Sequence, residues 1–192
     1  MFKRKKIMPS VEELMQGEKW VKENLTDVYG WPLSEETIEK ELCLRVEFVK
    51  LDDELEAELV PDSTVNGCIK VNNIYSGNGE FRYLHEVVHY VLDVGVGKKV
   101  VKSYPRKRVD NGCDEHERKV DYLAAVALIP AIELDAKIRE FRKRWFVTDE
   151  VAFMKELQEK YSCSEKCLRR RFQEVHKIRK SAEFLQFVKE NG

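Results

Sequence analysis

The sequence predicts an α+β fold in which a small antiparallel sheet packs on one central helix and a helical region follows. Three observations carry that expectation. From Leu42 to Val71 apolar residues alternate with polar ones, the period of a strand, whereas before and after that stretch they recur every third or fourth position, the period of a helix. Turn-forming residues fall where the period changes, at Gly30 to Pro32, Asp52-Asp53, Asn66-Gly67 and Ser76 to Gly79. A chain of 192 residues, 43% hydrophobic and 36% charged, can bury a core without covalent staples.

Ser10 before Val11 and Ser34 before Glu35 each offer a helix N-cap followed by acidic first-turn residues, so positions 10 to 42 read as two short helices broken at Gly30 to Pro32. Leu42, Leu44, Val46 and Phe48 then alternate with Cys43, Arg45 and Glu47. Leu55, Ala57 and Leu59 alternate with Glu54, Glu56 and Glu58, and Ile69 and Val71 follow Asn66-Gly67, which predicts three strands in an antiparallel meander. Phe81, Leu84, Val88, Val91 and Leu92 draw an apolar stripe along the next helix, which Gly95 ends. From Gly95 to Cys113, Lys98, Lys99, Lys102, Arg106, Lys107 and Arg108 cluster around Pro105 and read as a solvated basic loop. Asp114 to Ile129 is helical, with Val120, Leu123, Ala124, Ala127 and Leu128 on one face.

After Thr148, Val151, Met154, Leu157 and Tyr161 form one stripe and Leu168, Phe172 and Val175 a second. Ser162-Cys163-Ser164 turns the chain between them, in the pattern of a helix-turn-helix. Arg169, Arg170 and Arg171 fall on its second helix but spread around the circumference, which favours a structural or protein-docking role over DNA binding. Phe184, Leu185 and Val188 mark a final helix. The expected organisation is an N-terminal helical segment (1–40), a central core (41–135) and a C-terminal helical region (136–192).

Composition bounds the setting. Thirty-four basic residues balance 35 acidic ones to a net charge of -1, so no global basic field points to nucleic acid. Five cysteines, an odd number without a CxxC pair, suggest a reducing cytoplasm, and Cys163 and Cys167 read as free thiols. The basic start Met-Phe-Lys-Arg-Lys-Lys meets Pro9, Glu12 and Glu13 where a signal peptide would be apolar. Leu123 to Ile132, with Pro130 inside, is too short to span a bilayer. No membrane segment is expected.

The chemistry lies in the Phe81–Asp93 helix, which holds His85, Glu86 and His89 as HExxH. Helical residues four apart share a face, so both imidazoles can meet one metal ion with Glu86 beside them. Zinc accepts neutral imidazoles, and a carboxylate next to the water it activates can take that water's proton. The reading is a single Zn2+ with Glu86 as general base. A catalytic zinc needs a third protein ligand and an open position. Glu117, at the start of the second helix, is the choice, with Asp121 one turn on to hydrogen-bond a ligand histidine; spacing leaves Asp114, Glu115 and His116 as rival ligands. Tyr75, Tyr90 and Tyr104 are candidates for oxyanion stabilisation by side-chain type.

The stretches FRYLHEVVHYVL and ERKVDYLAAVALIP resemble the ImmA/IrrE family of zinc metallopeptidases, whose helices typically read RFxxAHExGH and ExxA[ND]xFAxxLLMP. Glu117, Asp121, Ala124, Leu128 and Pro130 match in register, with Val120, Leu123 and Ile129 as apolar replacements. Val88 departs where the family usually has glycine, and Asp93 where a further histidine is common. The motifs cover roughly residues 40 to 132. The resemblance implies a gluzincin-like, zincin-type core in which His85, His89 and Glu117 bind zinc and Glu86 is the base, followed by a helix-turn-helix. It also implies a cytoplasmic endopeptidase that relieves transcriptional repression by cleaving or disabling a helix-turn-helix repressor of a mobile element or stress regulon.

Overall fold

The computed structural model describes residues 8–74, 79–107, 115–143 and 149–191. Helix α1 (Val11–Val21) starts on a capping box: Glu13 N donates to Ser10 Oγ at 3.1 Å and Ser10 N donates to Glu13 Oε2 at 2.6 Å. It continues through a π-helical turn (Lys22–Thr26) into α2 (Asp27–Tyr29), and α3 (Glu35–Leu42) follows with Ser34 as N-cap. The two helical stretches expected before Leu42 are therefore present.

Strands β1 (Leu44–Val49), β2 (Leu55–Val60) and β3 (Gly67–Asn72) are joined by β4 (Tyr104–Lys107) in a mixed sheet ordered β1-β3-β2-β4. This corrects the expected antiparallel meander. β3 lies between β1 and β2, parallel to β1 with Leu44 opposite Gly67, and antiparallel to β2 with Leu59 opposite Ile69. The reason lies in β3 itself, which is buried on both faces at Cys68, Ile69 and Val71 and so takes a central place. The connection from β1 to β2 crosses its end, where the buried Asn72 side chain donates to Asp52 O and Leu55 O and accepts from Leu51 N. Gly67 is required at the start of β3, because a Cβ there would lie 2.5 Å from Val100 Cγ2.

β4 corrects a second expectation. Part of the basic stretch is an edge strand antiparallel to β2, with Tyr104 and Arg106 half-buried and Pro105 and Lys107 exposed. Its alternation was hidden because the inward residue is an arginine, and Pro105 is tolerated because an edge strand can spare an N–H. Arg108 lies outside the described residues.

Helix α4 (Gly79–His89), extended by a π-helical turn (Tyr90–Val94), packs on β2 and β3 and on α5 (Glu115–Leu128). Gly95 ends it with φ +93°. Helices α6 (Ala131–Lys143), α7 (Glu150–Lys160), α8 (Glu165–Ile178) and α9 (Ala182–Asn191) complete the described chain, and α8 packs against α1, α5, α6 and α7. One hydrophobic cluster takes Leu14 and Ile38, Ile69 and Val87, and Leu168 and Phe184, so all three expected segments share it.

The apolar stripe of α7 runs through Phe153 and Leu157 to Tyr161, while Val151 is 73% exposed; Phe153 wins the inward place by stacking on Phe141, centroids 4.2 Å apart. In α9 Phe184 and Phe187 face the core and Leu185 is exposed. The three arginines of α8 diverge as helical geometry requires. Arg171 is fully buried and donates to Glu18, Glu174 and Ile129 O, whereas Arg169 pairs with Glu165 at the surface and the half-buried Arg170 donates to the buried Glu174. Among the described residues no helix is long and apolar enough to cross a membrane.

Candidate metal centre

The geometry follows from α4 lying against α5. The four-residue spacing brings His85 Nε2 and His89 Nε2 to 3.1 Å. From the first turn of α5, Glu117 places Oε2 at 3.4 Å from His85 Nε2 and Oε1 at 3.3 Å from His89 Nε2. Three donor atoms therefore lie within 4.8 Å of one another, two on buried residues and one on a half-buried residue. Separations near 3.3 Å suit ligands about 2.0–2.1 Å from a shared tetrahedral ion.

The far side of each imidazole is held by a carboxylate. His85 Nδ1 is 3.1 Å from Asp121 Oδ1, the pairing expected of Asp121, and His89 Nδ1 is 2.7 Å from Asp93 Oδ2. These contacts favour the tautomer with the proton on Nδ1 and the lone pair on Nε2, the form that ligates a metal. Asp93 was missed as a site residue, although its position one turn after His89 was a readable signal. Arg106, from β4, was also missed: it donates to Asp121 Oδ1 and Glu56 Oε2, and no helical period pointed to it.

Glu86 is fully buried, and neither carboxylate oxygen has a hydrogen-bond partner among the described residues. A buried polar group without partners is costly, so this carboxylate fits a site that receives a polar guest. Burial pushes its pKa up to about 7 against the pull of the neighbouring His85 and Arg106 charges. For His85, burial disfavours the charged ring, but hydrogen bonds to Asp121 and Glu117 outweigh it and raise the pKa; for His89 burial prevails and the pKa is lowered. The His85 contact holds Glu117 below the usual carboxylate range.

Of the rival ligands, Asp114 lies outside the described residues and Glu115 is exposed. His116 turns to Asp93 Oδ2 at 3.0 Å, so it joins the site through Asp93. Among the tyrosines, Tyr90 is committed elsewhere, its hydroxyl donating to Lys98 O and accepting from Gly97 N. Tyr104 sits with its ring 5.7 Å from that of His89, and Tyr75 lies outside the described residues. Val88 belongs to the hydrophobic core, and the donor atoms converge with it in place. Cys163 and Cys167 are a free buried and a free half-buried thiol; burial pushes their pKa values up to about 12 and about 11, which does not suit a thiolate metal site. No family model matches the chain, and no curated protein does.

Proposed function

We propose that the chain is a zinc-dependent endopeptidase, and the observation that carries this reading is the convergence of His85 Nε2, His89 Nε2 and the Glu117 carboxylate beside the unpartnered Glu86. His85, His89 and Glu117 would hold one zinc ion. Bound there, zinc supplies Lewis acidity toward water and a peptide carbonyl. The protein's own residues do the rest. Asp121 and Asp93 orient the two imidazoles through their Nδ1 atoms. Glu86, with a pKa near neutrality, is suited to take a proton on its carboxylate from the attacking water and return it to the leaving amine nitrogen. Its burial leaves that carboxylate without a competing hydrogen-bond donor among the described residues.

The proposed substrate, a helix-turn-helix repressor of a mobile element or stress regulon, rests on the resemblance of the two motif helices to the ImmA/IrrE group. DNA binding through α7 and α8 gains no support, since Arg171 is consumed in the core and Arg169 and Arg170 pair within their own helix. The test incubates the zinc-loaded protein with repressors encoded next to it and reads products by mass spectrometry. A discrete cut that disappears with Glu86→Gln is expected; binding of the repressor without any Glu86-dependent cut would overturn the peptidase reading.

A further inference from the structure

Arg106 is a charged side chain on an edge strand in a lysine-rich stretch, yet it is only 16% exposed. Burying a cation is costly unless carboxylates close to it offset the lost hydration. Arg106 has two, from different elements: Nη1 donates to Asp121 Oδ1 at 2.7 Å, on α5, and Nε donates to Glu56 Oε2 at 3.0 Å, on β2. Its guanidinium also lies 5.2 Å from the ring centroid of Phe81, on α4. Asp121 Oδ1 is the same atom that faces His85 Nδ1. A continuous chain thus runs from Glu56 through Arg106 and Asp121 to His85, joining the sheet to a candidate metal ligand.

We propose that Arg106 is a positioning residue of the metal centre: by pinning Asp121 it fixes the ring of His85 and sets metal affinity from a strand that contributes no ligand. This rests on the metal-centre reading above. Nη1 also comes to 2.5 Å from His85 Nδ1. A ligating His85 carries its proton on Nδ1, so in that state Nη1 and Nδ1 are both donors, they move apart, and the Asp121 carboxylate is held between them. A planar fork reaches two carboxylates at once, whereas a lysine ammonium on its flexible stem does not hold that geometry.

The alternative is that Arg106 only fastens β4 to α5, and a double-mutant cycle on zinc affinity separates the two. Wild type, Arg106→Gln, Arg106→Lys, Asp121→Asn and the Arg106→Gln/Asp121→Asn double variant are titrated with zinc against a chromophoric chelator, and thermal unfolding is recorded without metal. Removing a group that orients a ligand costs about 10- to 100-fold in affinity. We expect about a tenfold loss for Arg106→Gln, partial recovery in Arg106→Lys, and a double variant within about twofold of Asp121→Asn because the two act in series. Wild-type affinity in Arg106→Gln, or losses that multiply in the double variant, would overturn the proposal. Should Arg106→Gln not fold, Arg106→Lys carries the test, with a loss of about threefold expected and undiminished affinity overturning it. A wild-type chain that binds no zinc overturns the metal centre itself, an outcome distinct from normal wild-type binding with an unaffected Arg106 variant.

Discussion

Asp93 Oδ2 lies 2.7 Å from His89 Nδ1 and so does for His89 what Asp121 does for His85. It sits in the π-helical turn that follows α4, and His116 Nε2 meets the same oxygen at 3.0 Å. Burial opposes its ionisation, but the His89 and His116 hydrogen bonds hold its pKa below the usual range, so it is an acceptor at neutral pH. Asp93→Ala is expected to weaken zinc binding about 10- to 100-fold while leaving the fold intact. Chelator competition reads the first, circular dichroism the second.

Glu86→Gln is expected to keep zinc at wild-type stoichiometry, by elemental analysis, and to abolish cleavage. His85→Ala should lose the metal, and undiminished zinc in that variant would refute the ligand.

The metal-free protein should become less stable as pH rises through neutrality. Glu86 has a folded pKa of about 7 against an ordinary 4.5, so the native state binds more protons than the unfolded chain between those values. Stability therefore falls across that window, by roughly 3 kcal/mol at most. Metal-free Glu86→Gln lacks this titration and should unfold at higher temperature than metal-free wild type at pH 8, with the difference vanishing near pH 4. Scanning calorimetry at both pH values checks it.

Arg171→Met would leave Glu18 buried without its cation, Glu174 with Arg170 alone, and Ile129 O without its side-chain donor. Loss of one partner from such a buried group costs about 3–5 kcal/mol. Urea unfolding should show a loss of that order, far above the effect of Arg169→Met on the surface pair with Glu165.

Cys43 ends α3 at φ +52°, a left-handed conformation that side chains other than glycine adopt at a cost. The side chain is exposed and forms no disulfide. Cys43→Gly should stabilise the protein by about 0.5 kcal/mol, the relief of that strain less the added backbone entropy of glycine. Denaturant midpoints provide the readout.

The sequence by itself determined what depends on local period and spacing. HExxH within an apolar helical stripe placed His85, Glu86 and His89 on one helix. The serine caps at Ser10 and Ser34 marked where α1 and α3 begin, and the one-turn spacing of Glu117 and Asp121 put both near the start of α5. Only the tertiary structure decided which elements meet. Strand order was not legible, because alternation shows which face of a strand is apolar and not which neighbour it pairs with; the burial of β3 on both faces made it central. Arg106 was unreadable for the same reason. Its chemistry depends on Glu56, 50 residues away, and Asp121, 15 residues away. A charged residue in a basic stretch looks solvated until folding surrounds it with carboxylates from other elements.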